Sequence, residues 1–254
     1  MVIQGDLAQI LTGIPIQIPG CNIAVSQPSV KEICAFGETD FLYGLQILTK
    51  TDKVVESIKK GNSQLAMLSD FQILIATAEQ DSFLKCSLEQ IFELLFPNYM
   101  IEFAIGCINF RVEQNGTIVG QINPMNFESF QKTLDTLFLP HLNDNPVEEY
   151  NPANGLAAEI AAKLKRGQEQ RAKIKQKASG ENDSIFATYI SVLSVGLSMD
   201  INILYEYTPF QLFDVFKRYM LKVAYDLHMK IVTTPFMDTS KMEDPKNWLD
   251  NLYN

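Results

Sequence analysis

Apolar positions recur at two intervals along this 254-residue chain, and the switch between them marks its elements. The first 27 residues, including Ile14-Pro15-Ile16-Gln17-Ile18-Pro19-Gly20, alternate apolar and polar positions. That is the period of extended chain, with prolines where strand edges tolerate them. Helical spacing starts after Pro28. Ser29 heads a short helix through Phe36 that ends at Gly37, and a second pattern runs from Thr39 to Leu48. Thr51 or Asp52 caps a third helix ending near Gly61, and Leu65 to Ala78 is apolar at helical intervals. Ser87-Leu88-Glu89-Gln90 reads as a capping box ahead of Ile91, Leu94, Leu95 and Phe96, with Pro97 as the stop.

Phe103 to Val112 and Ile118 to Ile122 are strand-like and flank Gln114-Asn115-Gly116-Thr117. Asn-Gly suits the positive-φ positions of a type I′ turn, so a β-hairpin is expected. Pro124 and Asn126 introduce a helix whose apolar face is Phe127, Phe130, Leu134 and Leu137, ending at Pro140. The acidic, turn-rich stretch from His141 to Tyr150 reads as a linker. Asn154 to Arg166 favours helix by composition, with Leu156, Ile160 and Leu164 as a narrow apolar stripe. Ser184 to Leu197 is amphipathic. Thr208-Pro209 is an N-cap followed by proline at the first helical position. The helix it opens carries Leu212, Phe213, Phe216, Tyr219, Met220, Val223 and Leu227 toward Ile231.

These elements predict a mostly helical α+β fold. A mixed N-terminal domain with the hairpin spans residues 1–148. An acidic linker and basic connector helix follow at 149–180, and a helical C-terminal subdomain at 181–254. Strands and helices do not alternate as βαβ units, which disfavours a doubly wound sheet.

Charge sharpens the picture at one place. The chain holds 21 basic and 30 acidic residues, net -9. Residues 151–180 alone are net +5. The overall acidity argues against a dedicated nucleic-acid binder, and the basic block lacks the aromatic residues that stack on single strands. A solvated face is the plainer reading of the block. The functional reading is contact with an acidic partner, through Lys163, Lys165, Arg166, Arg171, Lys173, Lys175 and Lys177. Trp248, the single tryptophan, either docks the tail on its own core or serves as an interface anchor.

Chemistry is not announced. No phosphate loop, dinucleotide fingerprint or nucleophile elbow is found, so neither an enzyme nor a cofactor is expected. Four cysteines (Cys21, Cys34, Cys86 and Cys107) form no C-x-x-C pair, and the two histidines, His141 and His228, sit in no metal-ligand spacing. Reduced and mostly buried thiols are expected. No apolar stretch has the length of a membrane span, and Met1 to Gly20 lacks the pattern of a secretory signal. The expected setting is therefore cytoplasmic.

Three segments carry a resemblance: Val30-Lys31-Glu32-Ile33-Cys34-Ala35-Phe36-Gly37-Glu38, the run Thr208-Pro209-Phe210-Gln211-Leu212-Phe213-Asp214-Val215-Phe216-Lys217-Arg218-Tyr219, and Asp244-Pro245-Lys246-Asn247-Trp248-Leu249. Their order around a basic helix is similar to morphogenesis proteins from tail gene clusters of phages infecting Gram-positive bacteria, in particular tail assembly chaperones. The likeness is clearest over residues 151–254. It implies a non-catalytic role in the host cytoplasm, shielding the helical tape measure protein during virion assembly. Phage tail proteins would be the partners, with self-association left open. A structural component retained in the virion and a nucleic-acid-associated accessory protein are the alternatives.

Overall fold

A computed structural model describes residues 7–59, 67–104, 106–112, 116–138, 184–233, 247–249 and 252–253. The fold is mixed α+β and mostly helical. Leu7–Thr12 forms α1, where an extended segment was expected. It buries Ile10, and Gly13, at φ +73°, turns the chain out of it. Ile16–Gln17 (β1) and Ala24–Val25 (β2) pair antiparallel as the alternation predicts.

Val30–Phe36 (α2) starts on a reciprocal cap: the Ser29 hydroxyl accepts from Glu32 N, and the Glu32 carboxylate accepts from Ser29 N at 2.7 Å. Glu38–Thr49 (α3) and Thr51–Lys59 (α4) follow. Asp70–Gln80 (α5) starts at a second capping box, Ser69 with Gln72, so the apolar pattern from Leu65 overran its true start. Ser82–Leu95 (α6) begins earlier than expected. Asp81 accepts from Phe83 N and Leu84 N and takes the capping role, while Ser87 turns its hydroxyl back to the Phe83 carbonyl.

The stretch from Phe103 to Val112 is two strands. Met100–Ala104 (β3) and Cys107–Arg111 (β4) are split by Gly106, whose φ of +76° allows a tight reversal. Ile118–Ile122 (β5) pairs antiparallel with β4, completing the expected hairpin in a sheet of order β3-β4-β5. The bond from Val112 N to Thr117 O closes the turn, whose residues 113–115 lie outside the described set.

Phe127–Phe138 is α7, Ile185–Leu197 α8, Ile201–Tyr205 α9 and Pro209–Val232 α10. The core centres on the ring of Phe92 in α6, which meets Phe96, Phe103, Phe110 and Phe130 at centroid distances of 5.6–6.1 Å. Each fully buried large side chain contributes about 1.5–3 kcal/mol. Gly44 of α3 lies under Ile91 of α6, where a Cβ would come within 2.9 Å.

The C-terminal helices join this core. α10 packs on α7 and α1, and α9 on α2. One buried apolar cluster takes residues from both sides of the 139–183 segment. That segment, with the expected linker and connector helix, lies outside the described residues.

Candidate partner-binding surface

The second half of the chain is fixed to the first by polar contacts at helix ends. The Glu38 carboxylate accepts from the Ser184 hydroxyl, from Ile185 N at 2.7 Å and from Phe186 N at 3.4 Å. It thereby caps α8 from a helix 146 residues earlier in the chain. Its negative charge and partial burial push the nearby Cys34 thiol above its ordinary pKa, burial first. Val30 N donates to Tyr207 O at 2.8 Å, and Gln211 Nε2 to Leu11 O at 2.7 Å.

The base of α10 is equally well held. Buried Asp214 accepts from the Tyr253 hydroxyl at 2.9 Å and from Arg218 Nε at 3.1 Å. Arg218 Nη1 also donates to the Trp248 carbonyl at 2.9 Å. Trp248 itself is half-buried, and Tyr253, tilted against Phe210 at 5.2 Å, is buried.

α8 covers one face of α10 over its first three turns. Phe186 stacks on Phe213 at 5.9 Å, and Tyr189 sits over Phe216 at 4.2 Å. Gly196 lets the backbones close in, since a Cβ there would fall 2.3 Å from the Tyr219 ring. α8 then ends. Ser198 takes a left-handed conformation at φ 53° and turns the chain toward α9. α10 continues for thirteen more residues, Met220 to Val232, about 20 Å at 1.5 Å per residue. Along it Met220 is 47% exposed, Val223 42% and Leu227 57%. They extend the Phe216 row at spacings of four, three and four, Lys230 continues it, and Arg218, Lys222 and Asp226 lie off it, with Lys222 paired to Asp226 at 2.8 Å.

Lys163, Lys165, Arg166, Arg171, Lys173, Lys175 and Lys177 all lie outside the described residues, so only Trp248 of the sequence candidates has a described position. The exposed half of α10 was not among those candidates. Its apolar spacing was read only as a helix, and periodicity does not distinguish a covered stripe from an open one. The thiols are free, yet only Cys21 is buried, and Cys34 and Cys86 are exposed. An apolar helical stripe hides positions only where another element lies against it, which corrects the expectation of mostly buried cysteines.

An open polar hollow lies between α2 and the start of α10, lined by Thr12, Gln27, Lys31, Glu206 and Gln211. Its polar groups hold the fold: Lys31 pairs with Glu206 at 2.7 Å, and Gln27 donates to the Ile14 carbonyl at 2.7 Å. Among the described residues no three His, Cys, Asp or Glu side chains gather as a metal site, and no helix is long and apolar enough to cross a membrane. No family model, curated protein or solved structure matches the chain.

Proposed function

We propose that this protein is a non-catalytic assembly chaperone of a phage tail, binding the helical tape measure protein in the host cytoplasm. The observation that carries the reading is the outer half of α10. It is a helix built like a packing element, with an apolar row open to solvent. A chaperone for a long amphipathic partner needs such a surface, released when the partner assembles. The helix opens within Thr208 to Tyr219, one of the segments that carry the resemblance to tail assembly chaperones. The basic segment 151–180 adds a second, electrostatic contact in this reading, through the seven lysines and arginines named above. Trp248, at the foot of α10, adds an anchor beside it.

Co-expression with the tape measure protein encoded by the neighbouring genes tests this. The tape measure protein should co-purify with this chain, and replacing the seven basic residues by Gln should slow association and flatten its salt dependence. Retention of no tail component would remove the assembly reading.

A further inference from the structure

We draw no further inference here: the strongest candidate, the apolar row that the outer half of α10 leaves open at Met220, Val223 and Leu227, carries none, because the nearby Lys222 and Asp226 pair with each other at 2.8 Å and nothing in the structure shows what covers it.

Discussion

Burial acts on Cys21 in a way that pH can read. The thiol lies in the turn between β1 and β2, 2% exposed, and desolvation pushes its pKa from 9.0 up to about 11. The folded protein holds it neutral where the unfolded chain ionises it. Its contribution is therefore complete below pH 9 and lost as pH rises from 9 toward 11. Thermal midpoints measured across that range should fall more steeply for the wild type than for Cys21→Ala, whatever the offset from the small cavity. Equal slopes would show that this thiol does not drive the alkaline loss. A second residue nearby was silent in sequence. Gly120 of β5 faces that same turn, and a Cβ there would lie 2.4 Å from Ile23 Cγ2 and 2.5 Å from the Cys21 carbonyl oxygen. Nothing local marks a glycine chosen by a segment a hundred residues away. Ser29 is the opposite case, legible because its partner Glu32 stands three positions on.

Elements were most readable where their ends carry chemistry of their own. The Ser29 cap, the hairpin of β4 and β5, the stop at Pro97 and the Thr208-Pro209 start are all local signals, and all appear in the structure. Where two local signals competed, the sequence misled. Ser87 matched a capping pattern, but Asp81 stood earlier and satisfied the helix first. Phe103 to Val112 looked like one strand because apolar residues flank Gly106 on both sides, hiding the reversal there. The cap of α8 had no local signature beyond Ser184, since half of it comes from Glu38. Its carboxylate sits at the positive end of the helix and accepts two backbone bonds. Glu38→Ala should cost about 1 kcal/mol in denaturant unfolding and speed amide exchange at Ile185 and Phe186. Glu38→Gln keeps an acceptor but loses the charge, so it should fall between. Unchanged exchange in Glu38→Ala would mean the contact does not hold the helix start.

At the scale of the molecule, apart from α1 and the split between β3 and β4, most of the order and type of elements followed from pattern, whereas their mutual placement did not. The contacts of α10 with α7 and α1, and of α9 with α2, join segments about 70 to 200 residues apart. Periodicity supplies each helix with an apolar face but does not say which face meets which. The same gap explains the candidate surface. Whether Met220, Val223 and Leu227 are covered depends on where α8 ends, not on their own spacing.

The joint at Glu38 has a consequence for the topology of the chain as a polymer. Phe138, closing α7, packs edge-on against Phe41 at 5.6 Å, while Ser184, opening α8, bonds to Glu38, one turn away on the same helix. The described residues on either side of the 45-residue segment 139–183 are thus held at nearly the same place. In statistical terms the two ends of that segment are already clamped, and the entropy of joining clamped ends rises only with the logarithm of the length between them. Exchanging the whole segment for a glycine-serine bridge of about a dozen residues should therefore leave the core intact and raise unfolding free energy by about 1 kcal/mol. A soluble, cooperatively melting product that no longer retains the tape measure protein would separate the scaffold from the segment's role. A product that fails to fold would mean these residues complete the core rather than hang from it.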